Sequence, residues 1–330
     1  MSKRAFEPVR VGVAGVGGFG LLHALTLRGL AEAELVAVVH RRKNRLDEVA
    51  DRLPGVPGWT DLEQAIEESE AEAWVVAASS AAHVPMTRAL LRAGKPVLLE
   101  KPMAETLAEA EELRPLVAKD PDKLMMGHIL LFNSEYRQLV AEVRRRGPLA
   151  YLDCVRHRPV GTMEALPGES PLELLMVHDL YAVQVLVNRA EPGSFHCRAH
   201  RHASGAVDLV VAQLRWPGGT LANFTASFMT PAGMAADGFD RMEVFGEGWA
   251  ARLLPNPRPM ELWDEQARWP MALEIRADAL APSGMMAEEL RCFCRVVRGL
   301  EPVPAGATYE DAMQVQRWLD RLVAAEKSRG

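Results

Sequence analysis

"VRVGVAGVGGFGLLHALTLRG", residues 9–29, joins a short apolar strand to a helix through Gly15, Gly17 and Gly20 in a G-x-G-x-x-G array. In such a turn one glycine allows the tight bend, one lets a pyrophosphate approach the backbone, and one lets the helix pack on the strand. The helix N-terminus then attracts the anion. Alone the array is a weak signal. Its context meets the requirement, because strand, loop, helix and second strand follow within the span of one βαβ unit.

Working outward, short apolar strands alternate with helical stretches up to about residue 130. Strands are expected at 9–16, 34–40, 73–78, 96–99 and 123–130, with helices beginning near Gly18, Asn44, Asp61, Ala82 and Thr106. Repeated βα units predict a doubly wound α/β Rossmann domain over residues 1–130. From about Tyr151 the rhythm changes. A helix over 172–187 precedes grouped strands such as "AVDLVVAQLRW", "GTLANFTASFM" and "FDRMEVFGEG", and two helices, 283–297 and 308–327, close the chain. Residues 131–330 are therefore expected to form an α+β domain with a large, mostly antiparallel sheet.

Composition narrows the function. The 330 residues are 48% hydrophobic and 25% charged, with a net charge of −6. This is the average of a globular chain, without a basic stripe to track a phosphate backbone. Neither nucleic acid nor membrane is expected as a partner. The opening "MSKRAFEPVR" is basic ahead of an apolar stretch, but that stretch reads as strand and glycine loop rather than a signal peptide. The four cysteines, Cys154, Cys197, Cys292 and Cys294, fit structural thiols of a reduced, cytoplasmic protein.

Two further stretches carry chemistry. Rossmann sites that prefer NAD usually present a carboxylate at the end of the second strand. Here the chain offers His40, Arg41, Arg42 and Lys43, cations suited to a 2′-phosphate, so NADP is expected over NAD. "KPVLLEKPMAE", residues 95–105, runs from a buried-strand pattern straight into Glu100, Lys101 and Pro102. Ligands of parallel α/β sheets bind beyond the carboxyl ends of the strands, which is where Lys101 would stand.

Taken with "SSAAH" at 79–83, "AGKPVLLEKP" at 93–102, "MGHILLFN" at 126–133 and "LMVHDL" at 175–180, the glycine loop resembles that of the glucose-fructose oxidoreductase, inositol dehydrogenase and MocA family. The resemblance covers most of the chain in order. It implies NAD(P)-dependent hydride transfer between a nicotinamide and a CH–OH carbon of a sugar, cyclitol or related polyol. A homodimer or homotetramer through the C-terminal sheet is also implied. Lys101 would orient the reacting oxygen, aimed by Pro102, which is often cis in the family, and His178 matches the catalytic histidine. The dinucleotide would lie along Gly15, Gly17, Gly18, Phe19, Gly20, His40, Arg41, Arg42, Ser79, Ser80, His83, Glu100, Lys101 and Pro102. Asn133, Tyr136, His157, Leu174 and Tyr181 would stand near the substrate.

The chain departs from that pattern at two positions. Relatives typically carry aspartate four residues before the histidine, where this chain has Leu174, and often aspartate where it has Tyr181. Glu173 is turned about 140° from His178 on a regular helix and can substitute only if the helix is distorted or has not yet begun. A dinucleotide-binding sensor or scaffold without turnover therefore stands as the alternative. No metal is expected: "FHCRAHRH" places His196, His200 and His202 on one face of a strand, but with arginines alongside and no nearby carboxylate.

Overall fold

The computed structural model describes residues 7–231, 239–255, 262–263, 267–268 and 283–327. The chain divides into two compact units, Met1–Phe132 with Leu273–Met313, and Asn133–Ala272 with Gln314–Gly330. The single boundary expected at residue 130 thus marks only the first crossing, because a later segment returns to the first unit. Sequence pattern cannot register that return, which depends on contacts between residues far apart in the chain. The basic residues of the opening, Lys3 and Arg4, lie outside the described residues.

In the first unit β1 (Val9–Ala14), α1 (Gly18–Gly29), β2 (Ala33–Val39), α2 (Lys43–Ala50), β3 (Gly58–Trp59), α3 (Leu62–Glu68), β4 (Ala73–Val76), α4 (Ser80–Arg92), β5 (Val97–Glu100), α5 (Leu107–Glu111), α6 (Arg114–Val117) and β6 (Leu124–Gly127) follow in order. The sheet runs β3-β2-β1-β4-β5-β6, and every pairing is parallel. All residues of β4, β5 and β6 are buried, as strands covered on both faces must be. The apolar run expected as one strand over 123–130 is strand followed by a buried 3₁₀ turn, Ile129–Phe132. The chain bends where the His128 amide donates to Met126 O at 2.8 Å; strand and buried turn look alike in apolar content.

The second unit holds α7 (Ser134–Arg146), β7 (Leu149–Pro159), α8 (Gly161–Ala165), α9 (Val177–Leu186) and strands β8 (Ser194–Arg201), β9 (Val207–Arg215), β10 (Leu221–Thr230), β11 (Phe239–Gly246) and β12 (Trp249–Leu253). Its sheet runs β12-β11-β7-β10-β9-β8, antiparallel except for β7 beside β10. Alternate residues of β9 are buried and exposed, so one face is packed and one is open. A short ribbon pairs β13 (Leu262–Trp263) with β14 (Ala267–Arg268). Of the last helices, α10 (Gly284–Val297) belongs to the first unit, and α11 (Tyr309–Lys327) begins in the first unit and ends in the second.

Candidate active site

The glycine loop closes on itself. Gly15 has φ +99°, a conformation that side-chain-bearing residues rarely adopt. A Cβ on Gly20 would lie 1.8 Å from the Gly15 carbonyl oxygen, so α1 seats directly on the loop. Around Gly17 and Gly18, by contrast, no atom of the described residues beyond the adjoining chain comes within 4 Å of where a Cβ would be. That open space lies at the N-terminus of α1, whose first turn carries no acidic residue, and it fits a dinucleotide pyrophosphate. Phe19 is exposed beside it and sets its ring edge-on to His23 at 5.2 Å.

Arg45, on α2, was not singled out by the sequence pattern. Its guanidinium donates to Val16 O at 3.0 Å and Gly17 O at 3.3 Å and pairs with Glu48 at 3.0 Å, so it clasps the loop from outside. At the end of β2 burial, with the charges of Arg42, Arg45 and Arg41, holds His40 below the usual histidine range. Positive charge there comes from Arg41 and Arg42, whose side chains are exposed.

Because the strands are parallel, the ends of β1, β4 and β5 share one edge of the sheet. Ser79 is exposed after β4 and Ser80 opens α4. Lys101 and Pro102 are half-buried after β5, joined by a cis peptide bond. Two expected dinucleotide residues turn away. His83 is 2% exposed, with Nδ1 at 2.7 Å from Pro102 O and Nε2 at 3.2 Å from Ala78 O. Its place is therefore between the loops after β4 and β5, and burial holds its pKa down. Glu100 is 5% exposed, with its carboxylate 2.8 Å from His23 Nε2. Position in a motif gave their location but not their direction.

In the second unit the helix carrying His178 does not start as a regular one. Residues Leu172–Met176 form a π-helical turn before α9. The wider i→i+5 turn reduces the offset of Glu173 from His178 below that of a regular helix. Glu173 is nevertheless exposed, its carboxylate accepting from Ser170 Oγ at 3.0 Å. His178 Nδ1 lies 2.9 Å from the Tyr181 hydroxyl. Tyr181, fully buried, thus gives a polar contact where relatives often carry aspartate. Leu174 is half-buried in the π turn.

Behind His178, Asp179 accepts from Arg156 Nε at 2.9 Å, while Arg156 Nη1 and Arg158 Nη1 reach Asp240 at 2.9 and 2.6 Å. Burial pushes Asp179 up to about 6. For Asp240 burial acts in the same direction but the two arginines outweigh it, so its pKa is lowered. This network locks α9 to β7 and β11, and no local sequence signal announces it.

Three expected substrate residues are placed elsewhere. Asn133 is fully buried and caps α7, accepting from Tyr136 N at 2.8 Å. Tyr136 is 1% exposed and donates to Ala182 O at 2.8 Å. His157 alternates with Arg156 along β7, so it points to the sheet face opposite α9. There it meets Ser227 Oγ at 2.7 Å and stacks against Phe239. The strand of histidines also differs from expectation: His200 pairs with Asp208 of β9 at 2.7 Å.

Residues 9–128 match the model of an oxidoreductase family with an NAD-binding Rossmann fold, and 126–251 match the GFO/IDH/MocA C-terminal domain. The chain belongs to the GFO/IDH/MocA oxidoreductase family. It is 25% identical over 320 residues to myo-inositol 2-dehydrogenase of Thermotoga maritima, covering 89% of this chain and 90% of that one. Against 4-carboxy-2-hydroxymuconate-6-semialdehyde dehydrogenase of Sphingobium it is 28% identical over 131 residues, and spans only 42% of that relative's length. For inositol 2-dehydrogenase 1 of Saccharopolyspora erythraea the figures are 31% identity and 55% of its length. Among solved GFO/IDH/MocA-like folds, scyllo-inositol dehydrogenase of Lactobacillus casei, with NAD(H) and scyllo-inositol bound, superimposes with a TM-score of 0.83 at 18% identity over 97% of both chains.

Proposed function

We propose that this protein is an NAD(P)-dependent dehydrogenase or reductase acting at a CH–OH carbon of a cyclitol, sugar or sugar derivative, with NADP(H) preferred over NAD(H). The observation that carries the reading is Lys101 at the carboxyl end of β5, on the sheet edge that also bears the glycine loop. The names of the Thermotoga and Lactobacillus relatives support the substrate class.

Bound dinucleotide supplies a nicotinamide carbon that takes or returns hydride. Gly15, Gly17, Gly18, Phe19 and Gly20 hold its pyrophosphate, Arg41 and Arg42 meet the 2′-phosphate, and Ser79, Ser80 and Pro102 border the remainder. Lys101 donates a hydrogen bond to the reacting oxygen and balances charge there. His178 accepts the hydroxyl proton. This role requires the tautomer in which Nδ1–H donates to the Tyr181 hydroxyl and Nε2 carries the lone pair. Open-face Val211, Phe239 and Phe245, each at least 38% exposed, support assembly as a homodimer or homotetramer through the second sheet. The four buried cysteines, none in a disulfide, support a cytoplasmic setting. Among the described residues no helix is long and apolar enough to cross a membrane.

The test is titration with NADPH and NADH by nicotinamide fluorescence, in wild type and in an Arg41→Ala, Arg42→Ala double variant, followed by turnover assays on inositols and sugars. NADPH binding at least about tenfold tighter than NADH binding, with most of that margin lost in the variant, is expected. Binding of neither nucleotide overturns the reading. Tight binding with no turnover on any polyol would point instead to the sensor or scaffold, which Leu174 in place of the family aspartate favours.

A further inference from the structure

His23 on α1, Glu100 at the end of β5 and Glu289 on α10 come from three distant parts of the sequence, and all belong to the first unit. They are 0%, 5% and 0% exposed. Each turns one donor atom toward the others, and these atoms lie within 4.8 Å of one another. The His23 Nε2 to Glu100 Oε1 distance is 2.8 Å, and the other Glu100 oxygen accepts the Lys101 amide at 3.3 Å. Neither oxygen of Glu289 meets a hydrogen-bond partner among the described residues, and neither does His23 Nδ1.

Two carboxylates and one imidazole buried side by side are unfavourable as they stand. An ionised carboxylate without a partner is strongly disfavoured in the interior. Burial and the Glu100 charge both push the Glu289 carboxyl well above the usual carboxylate range. Taking up a proton removes the charge but leaves Glu289 with a hydroxyl that no acceptor meets. A bound cation would both neutralise the pair and occupy the orphan oxygens.

We propose that His23, Glu100 and Glu289 form a structural site for a divalent first-row transition metal ion, of which Zn²⁺ is the reference case. One imidazole nitrogen with carboxylate oxygens is a donor set for Zn²⁺ and its neighbours. Ca²⁺ takes six to eight oxygens, more than two carboxylates offer, and Mg²⁺ favours carboxylate and water oxygens over an imidazole nitrogen. The ion fastens three elements at once: the helix that opens at the glycine loop, the strand that ends at Glu100, and the returning helix α10. Its ligands come together only in the folded unit, so metal binding adds directly to folding stability. The site is separate from the hydride-transfer reading and stands or falls without it.

The test uses the full chain, purified without chelators or a histidine tag, and metal analysis by mass spectrometry. About one equivalent of metal per chain is expected, falling below about a tenth in Glu289→Gln. Melting temperature should drop after unfolding and refolding in chelator and recover on refolding with ZnCl₂. If Glu289→Gln fails to fold, wild-type protein refolded with Co²⁺ supplies the readout, through the visible bands of a low-symmetry Co²⁺ centre. Metal-free wild type that gains no stability and no Co²⁺ spectrum on refolding with either ion overturns the proposal. Glu289→Gln melting at or above wild type would do so equally, because the cluster would then hold a proton instead.

Discussion

Replacing Gly20 by alanine separates the two jobs of the glycine loop. The new Cβ would fall 1.8 Å from the Gly15 carbonyl oxygen, with the Gly15 carbonyl carbon at 2.9 Å and Ala77 Cβ at 3.3 Å. Real contacts of this kind essentially never come below 3.0 Å, so something must move by about 1.2 Å. The opposing atom is backbone and cannot rotate aside. Either α1 lifts from the sheet, or Gly15 leaves its φ of +99°. Overpacking against a rigid partner costs typically 1–3 kcal/mol and sometimes more, and about 3 kcal/mol is the appropriate figure here. For a unit of this size that lowers Tm by roughly 6–12 °C. Gly17→Ala is the control, since its Cβ meets no atom of the described residues beyond the adjoining chain within 4 Å. It should leave Tm nearly unchanged while weakening nucleotide binding, because the methyl group enters space kept for a ligand. Thermal unfolding and nicotinamide fluorescence on both variants decide it. A Gly20→Ala protein that melts with the wild type would refute the packing geometry. A Gly17→Ala protein that binds normally would refute the placement of the pyrophosphate.

Tyr181→Phe removes the hydroxyl at 2.9 Å from His178 Nδ1 and should lower kcat about tenfold or more with little change in KM, while shifting the pH profile of the basic group; an unaltered profile would show that Tyr181 only packs. Burial lowers His128 from 6.5 to about 4. Between those values the unfolded chain binds the extra proton, so stability is retained above pH 6.5 and lost as pH falls toward 4, by about 3 kcal/mol in all. Urea unfolding at pH 7 and pH 4.5 would reveal it, and His128→Gln should flatten that part of the dependence. Arg156→Met strands Asp179 in the interior, while Asp240 keeps Arg158, and should cost about 3–5 kcal/mol, whereas the exposed pair Arg145 and Glu142 should tolerate Arg145→Ala with almost no loss; similar losses from both would contradict the burial of the network.

What the sequence discloses depends on how far apart the participating residues lie. The glycine loop is legible because strand, turn and helix N-terminus are adjacent in the chain. Lys101 is legible because four buried residues lead straight to it. His83 and Glu100 could be located but not oriented, since Pro102 O and His23, their partners, are 19 and 77 residues away. The π turn before His178 escaped because helical periodicity assumes one residue per 100°, and one wide turn leaves no compositional trace. Asp208 opposite His200 required the register of β8 against β9, which strand patterns leave open. Arg156, Asp179 and Asp240 read as ordinary charges until three elements bring them together.

The return of α10 to the first unit has a consequence for how the protein is made. The glycine-loop sheet leaves a synthesising ribosome early, yet the helix that covers α1 and supplies Glu289 follows only after the intervening segment of about 150 residues. At roughly 5–20 residues per second that is a wait of about 8–30 s, during which the surface destined for Met286 and Phe293, both fully buried in the finished fold, stays uncovered. The nascent chain is therefore a client for chaperones over that interval. A fragment ending at Phe132 would remain one indefinitely.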